Sequence, residues 1–411
     1  MKINAIIAEY NPFHNGHKYQ LADAKKKTGA DYTIIAMSGN FMQRGAPALV
    51  EKYTRAKMAL ENGADLVLEL PLCYAASSAE YFATGAVTLL DKLGVVNYLC
   101  FGSECGDINI LGEIAQILLQ EPDEFSCALR RLLQQGLSYP TARTQALLVY
   151  APSLSSHKDV LASPNNILGI EYLKALLHRK STIVPFTTKR VGSDYHDKRF
   201  GEYQCSALAI RQALLSGQEI SVLSDQMPES AYELLREALL QAAPMYSNDF
   251  SALLHYKLLM ESDAGYSQYA DISSDLSDRI RKNLYRFIDF HSFCQLLKTK
   301  DMTYTRISRC LLHILLDMKK NDLTDYKQLD YVPYARVLGF RKAAAPLLGA
   351  IKEHSSIPLV TKLADAEGQL KPEAYQMLQK ELRQGSIYES VRALKAGVPM
   401  RNELQIPIVI V

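Results

Sequence analysis

The stretch Lys2-Ile3-Asn4-Ala5-Ile6-Ile7-Ala8-Glu9-Tyr10-Asn11-Pro12-Phe13-His14-Asn15-Gly16-His17-Lys18-Tyr19-Gln20 decides the fold of this chain. It begins as an apolar run, which reads as a buried strand. A tight polar turn follows, with two histidines around Gly16, and then helix-forming sequence. Strand, turn and helix in that order build a nucleotide phosphate site. The N-terminus of a helix carries unpaired N–H groups and about half a positive charge, so it attracts phosphate. His14 and His17 are spaced to lie on one side of the first helical turn. Imidazole N–H donors there can stabilise charge that develops on a transferring phosphorus. Gly16 has no side chain, so a base or ribose can approach the backbone. A metal pair or two surface histidines would use the same spacing. The sequence nearby lacks the further Cys, His or carboxylate ligands that zinc requires, and the upstream strand, Pro12 and Gly16 favour ATP.

Composition sets the outer limits. With 411 residues, 48% of them hydrophobic, the chain has ample core for two domains. It contains no apolar run of about eighteen residues, so no membrane span is expected. The N-terminus enters a strand directly, without a signal peptide. Seven cysteines without a C-x-x-C pair suit a reduced, cytoplasmic setting better than a disulfide frame. Cys100 and Cys105 read as packing residues.

Strands and helices alternate through the first half. Further strands are expected at Asp31–Met37, Asp65–Leu70, Val96–Phe101 and Thr182–Phe186. Helices are expected at Tyr53–Asn62, Ser78–Leu93 and Asn166–His178, with a helical insert over about Ile108–Tyr150. Strands rich in Ile, Val and Leu without alternation indicate a parallel sheet buried on both faces. The fold class is α/β, and ligands of such sheets bind beyond the carboxyl ends of the strands. The polar segments fall at those ends: the His14/His17 turn, Ser38-Gly39-Asn40-Phe41-Met42-Gln43-Arg44-Gly45-Ala46-Pro47, Gly102-Ser103-Glu104, and Thr187-Thr188-Lys189-Arg190-Val191-Gly192. Together they form the rim of one pocket.

The His-x-Gly-His turn resembles the HxGH signature of the nucleotidyltransferase superfamily, which shares its fold with class I aminoacyl-tRNA synthetases. That resemblance implies a Rossmann-like sheet and chemistry at the ATP α-phosphate, and leaves the acceptor open. Cys205-Ser206-Ala207-Leu208-Ala209-Ile210-Arg211 is similar to the second superfamily signature, usually Ser-Ser/Thr-x-x-Ile-Arg. It offers hydroxyl and N–H donors at another helix start. The family form has a hydroxyl where Ala207 stands, which leaves Ser206 as the phosphate ligand.

Three segments narrow the resemblance. Ala8-Glu9-Tyr10-Asn11-Pro12-Phe13-His14-Asn15-Gly16-His17, Ser38-Gly39-Asn40-Phe41-x-Gln43-Arg44-Gly45-x-Pro47 and Pro164-Asn165-Asn166-Ile167-Leu168-Gly169-x-Glu171-Tyr172 together look like the bacterial tRNA(Met) cytidine acetate ligases. The likeness covers essentially the whole chain. It implies activation of acetate by ATP to acetyl-adenylate, then acetylation of N4 of the wobble cytidine of elongator tRNA(Met). The ATP contacts it implies are Ile7 to Gln20, Gly102, Asn165 and Arg190, with His14, His17 and Arg190 catalytic. Magnesium is expected to accompany ATP, although no acidic cluster marks a metal cage. Tyr10 and Asn40 are both candidates to line a short acetate pocket.

The second half, from about residue 213, reads as successive helices, including Ser230–Gln241, Asp249–Met260 and Thr305–Met318, and ends in a terminal strand at Gln405–Val411. The expected division is therefore a catalytic domain over 1–212 and a mainly helical tRNA-binding domain over 213–411. Ser273–Ala345 holds 14 Lys and Arg against 8 Asp, a net charge of +6, so the rest of this +2 chain carries −4. Arg279, Arg281, Lys282, Arg286, Arg306, Arg309, Arg336, Arg341 and Lys342 recur at spacings that suit a basic RNA-binding face. Tyr285, Tyr304, Tyr331 and Phe340 interleave with them as stacking candidates. The alternative function is a small-molecule nucleotidyltransferase that makes a dinucleotide cofactor from ATP. An enzyme of that kind needs no basic helical half.

Overall fold

The computed structural model describes residues 1–190 and 206–411. Five parallel strands form the heart of the sheet: β1 Ile3–Ala8, β2 Tyr32–Ser38, β3 Leu66–Leu70, β4 Tyr98–Ser103 and β5 Val184–Lys189. Their side chains alternate between two cores. Ile3, Ala5 and Ile7 of β1, with Ile34 and Ala36 of β2, face one side. Ile6, Ile35 and Met37 face the other. Apolar residues therefore predominate on both faces, and each fully buried Ile or Leu contributes about 1.5–3 kcal/mol.

β5 runs three residues beyond its expected end. Thr187, Thr188 and Lys189 are strand rather than loop because pairing with β4 continues to Ser103. Hydroxyls support that extension: Ser103 Oγ and Thr187 Oγ1 lie 2.7 Å apart, and Thr188 Oγ1 donates to Asp23 at 2.7 Å.

Three further strands come from the second half of the chain: β6 Ala335–Phe340, β7 Leu359–Val360 and β8 Val409–Ile410. The order is β5-β4-β1-β2-β3-β6-β7, with β8 also on β6. β6 runs antiparallel to β3. The sheet is thus shared by both halves, and only the terminal strand of this trio was expected.

β6 corrects one assignment. Arg336 does not sit on a basic RNA-binding face; it is 3% exposed. Its guanidinium pairs with Glu69 at 2.8 Å and Glu403 at 2.6 Å, and Lys52 joins the same carboxylates. Arg309 is also largely covered, beside Asp271, and Arg341 lies 3.5 Å from Asp65. Arg281, Lys282, Arg286, Arg306 and Lys342 are exposed, while Arg279 is half-buried. Among the stacking candidates Tyr285 is 93% exposed, whereas the Tyr304 hydroxyl is engaged with His291 Nδ1 at 2.9 Å.

Helices cover both faces. Asn15–Thr28 packs through Leu21 and Ala24 onto one core. Ala79–Lys92 and Pro164–Arg179 pack onto the other, beside the insert helices Ile108–Gln120, Asp123–Gln134 and Tyr139–Tyr150. Among the described residues no helix is long and apolar enough to cross a membrane.

Candidate active site

The turn after β1 is organised by its own histidines. His14 caps the helix Asn15–Thr28: its Nδ1 accepts the Gly16 N–H at 3.1 Å, and its backbone N–H donates to His17 Nδ1 at 3.2 Å. The two rings stack with centroids 3.7 Å apart. With each Nδ1 used as an acceptor, a neutral ring carries its proton on Nε2. Burial, then Arg190 and Arg211, pushes His14 down from 6.5 to about 3. Burial, then His14 and Arg190, holds His17 well below its ordinary value. Both imidazoles are therefore neutral at pH 7, and each leaves an Nε2–H donor for a ligand.

Gly16 makes room inside the turn. A β-carbon there would stand 2.9 Å from Cε1 of His14, the ring that caps the helix.

A fully buried arginine holds the strand ends around this turn. Arg55, from the helix Lys52–Glu61, donates to the carbonyls of Glu9 at 2.6 Å, Ser38 at 3.0 Å and Val50 at 3.1 Å, and also to Gly39. It ties the carboxyl ends of β1 and β2 together. Across the turn, Asn11 Oδ1 accepts the Leu49 N–H, and the Asn11 carbonyl accepts from Arg211 at 2.6 Å. The helix Ala207–Leu215, capped by Ser206 Oγ on the Ala209 N–H at 3.1 Å, is thereby pinned to the first turn. Cys205, Val191 and Gly192 lie outside the described residues.

The start of Pro164–Arg179 is clasped to the end of β4. Glu104 Oε1 accepts from Asn165 Nδ2 at 2.6 Å, and Oε2 accepts the Asn166 N–H at 2.9 Å. Asn166 Oδ1 in return accepts the N–H groups of Glu104 and Cys105. A carboxylate on the first N–H groups of a helix is favourable in charge as well as in bonding.

These elements enclose an open cleft of about 1060 Å³ beyond the strand ends. Its polar lining includes His14, His17, Gln20, Arg190, Ser206 and Arg211. Phe82, Phe101, Leu168 and Tyr172 line it as well, together with Gln43 and Arg44. Of the residues expected to contact ATP, Ile7, Ala8, Glu9, Tyr10, Asn11, Gly102 and Asn165 also line this cleft. Gly16 and Tyr19 line an adjoining space of about 410 Å³ with Thr188 and Lys189. Pro12, Phe13, Asn15 and Lys18 line neither. Phe13 is buried against Tyr10, Asn15 donates to the Asp225 carbonyl at 2.8 Å, and Lys18, one helical step past His17, turns to solvent. Asn40 is not on the wall either; its Oδ1 accepts the Lys52 N–H at 3.0 Å.

The family model for HIGH Nucleotidyl Transferase matches residues 1–400. The tRNA(Met) cytidine acetate ligase of Acetivibrio thermocellus is 41% identical over 392 residues, covering 94% of each chain. The chain belongs to the tRNA(Met) cytidine acetate ligases. The ligase of Halothermothrix orenii is 38% identical, over 100% of this chain and 99% of its own. Among solved structures, apo Thermotoga maritima TmcAL superposes with a TM-score of 0.93 at 31% identity, and the same protein bound with alpha-thio ATP superposes with 0.91 at 30%, each over the full length of both chains.

Within this ligase framework several residues escaped sequence reading. Arg55 binds only backbone carbonyls, which carry no sequence signal. Phe82 fell inside an expected helix, and Tyr172 closed a family motif, without either being given a part in the pocket. Glu104 stands in a quoted loop, but its clasp on Asn165 and Asn166 requires two elements distant in sequence.

Proposed function

We infer that this protein is an ATP-dependent tRNA(Met) cytidine acetate ligase. It joins acetate to ATP as acetyl-adenylate, releasing pyrophosphate, and passes the acetyl group to N4 of the wobble cytidine of elongator tRNA(Met), releasing AMP. The observation that carries this reading is the cleft itself: two neutral imidazoles with Nε2–H donors at a helix start, with Arg190 from the end of β5 and Arg211 from the helix Ala207–Leu215 lining the same space.

The chemistry suits such a site. Attack of an acetate oxygen on the α-phosphorus forms a P–O bond and expels pyrophosphate. Charge spreads over the phosphoryl oxygens in the transition state, so positioning and preorganised donors supply most of the rate. His14 and His17 would donate through Nε2, with Arg190 and Ser206 on the phosphates. Neutral imidazoles suit this role because they give a hydrogen bond without a proton transfer.

Magnesium is proposed to travel with the triphosphate, whose charge it neutralises when bound. Among the described residues no group of three or more His, Cys, Asp or Glu side chains converges as a metal cage, so the protein's part is to hold the phosphates. The exposed cations of the 213–411 region, Arg281, Lys282, Arg286, Arg306 and Lys342, are proposed to face tRNA, with Arg279 at their edge. The six described cysteines are free thiols, in keeping with a cytoplasmic setting.

The test is pyrophosphate release from ATP with acetate, phosphopantetheine or nicotinamide mononucleotide as acceptor. Stimulation by acetate alone is expected. Stimulation by either phosphate monoester instead would favour the small-molecule nucleotidyltransferase, a reading that the family relationship does not support.

A further inference from the structure

The cleft contains one charge that phosphate binding does not explain. Glu9 is the only carboxylate among its described lining residues. A negative charge in a pocket for a triphosphate repels the ligand, so this side chain requires another role. Its Oε1 accepts the Gln43 N–H at 2.8 Å, and its carbonyl is fixed by Arg55. The Gln43 loop thus holds the carboxylate, and a helix side chain holds the backbone of the same residue, at the end of β1.

The surroundings of Glu9 differ from the phosphate side. Phe82, Phe101 and Tyr172 line the same cleft. The Phe101 and Tyr172 rings meet edge to face with centroids 5.6 Å apart. Burial first, and the nearby Glu9 charge second, hold the Tyr172 phenol in its protonated form. An aromatic, apolar wall beside hydrogen-bonding groups is the kind of surface against which a base from a loop can rest.

The second half-reaction needs a proton acceptor. When N4 of cytosine attacks the acetyl carbon, the C–N bond forms, the bond from that carbon to the phosphate oxygen breaks, and AMP leaves with the electron pair. N4 must then lose a proton. His14 and His17 are poorly placed to take it. Each Nδ1 is occupied by a backbone N–H, and each Nε2 already carries hydrogen. The arginines are cations, and the Asn and Gln side chains are amides.

We propose that the Glu9 carboxylate accepts the N4 proton during acetyl transfer, with the cytosine lying against the wall formed by Phe82, Phe101 and Tyr172. This assignment rests on the acetate-ligase reading above. It divides labour in the cleft: the histidines serve adenylation, and Glu9 serves transfer.

Two readouts separate the half-reactions. Hydroxylamine, a strong nucleophile, traps acetyl-adenylate as acetohydroxamate; single-turnover labelling measures transfer of the acetyl group to tRNA. For Glu9→Gln, whose amide oxygen can still accept the Gln43 N–H, tRNA acetylation is expected to fall by about 10²- to 10⁴-fold more than acetohydroxamate formation, the usual range for loss of a general base. Glu9→Asp keeps a carboxylate and is expected to recover part of the transfer rate. Equal losses in both readouts, undiminished transfer in Glu9→Gln, or a Glu9→Asp chain no better than Glu9→Gln would overturn the assignment. A wild-type enzyme that forms no acetohydroxamate from acetate and ATP would instead overturn the functional reading, and this proposal with it.

Discussion

Gly45 lies against the backbone of Arg309: a β-carbon on Gly45 would stand 2.7 Å from the Arg309 Cα and collide with its amide nitrogen. Gly45 also has φ +73°, and its carbonyl accepts from Ser308 Oγ at 2.8 Å. The loop that carries Gln43 and Arg44 to the cleft is therefore seated on the helix Tyr304–Leu315 of the second half. Backbone cannot yield as a flexible side chain can. Gly45→Ala should cost about 2–4 kcal/mol from strain and displacement together, read as a lower denaturant midpoint. In the surviving folded fraction tRNA acetylation should also fall. A variant as stable as wild type would show that the loop is not fixed there.

The double role of His14 separates two kinds of substitution. His14→Ala removes both the Nε2–H donor and the helix cap, and loss of a cap costs about 1 kcal/mol. Asn is a good capping residue, so His14→Asn should keep most of that stability and still lose acetate-dependent ATP–pyrophosphate exchange. His17→Ala should lose exchange as well. Calorimetry and exchange assays on these three variants check both halves of the statement. Exchange at the wild-type rate in His14→Asn would contradict the donor role.

The same histidine predicts a pH dependence of stability. Its ordinary value of 6.5 falls to about 3 in the folded chain. Between those values the unfolded chain binds a proton that the folded chain refuses. The stabilising contribution is thus complete above about pH 6.5 and is lost as pH falls toward 3, with a limiting slope of about 1.4 kcal/mol per pH unit for one proton. The unfolding free energy of wild type minus that of His14→Asn, followed from pH 7 to 5, should fall as the buffer is acidified, because only the wild type carries the histidine. A constant difference would contradict the burial of a neutral imidazole.

Basic residues of the second half divide into two groups with different signatures. Arg281, Lys282 and Arg286 are exposed. Replacing all three with alanine should weaken tRNA binding and flatten its salt dependence, by about 0.7 in the slope of log K against log salt for each lost single-strand phosphate contact. Acetate-dependent exchange should be largely retained. Arg336→Ala should behave oppositely. It leaves the covered carboxylates of Glu69 and Glu403 to share Lys52 without the guanidinium, and loss of one member of a buried ionic group costs about 3–5 kcal/mol. Affinity measured at several salt concentrations, alongside unfolding curves, distinguishes the groups.

That contrast shows what the sequence could and could not reveal. The His14/His17 turn and the first five strands were legible because their signals are local: an apolar run, a polar turn, a helix start. Arg336 misled for the same reason. In sequence it is one more cation in a basic stretch, and only the antiparallel pairing of β6 with β3 brings it to Glu69. Arg55 was silent, since its partners are main-chain carbonyls. The part of Gly16 in seating the capping ring was silent too, because the crowding comes from its own neighbour two residues back and arises only once the turn is folded.

The central claim is acetate activation for transfer to a tRNA base. Its most direct test combines isotope-labelled acetate, ATP and unmodified elongator tRNA(Met) with the purified protein, followed by mass spectrometry of the digested nucleosides. Labelled N4-acetylcytidine is expected at the wobble position, formed only with ATP and accompanied by AMP and pyrophosphate. Unlabelled tRNA, or label incorporated without ATP, would contradict it.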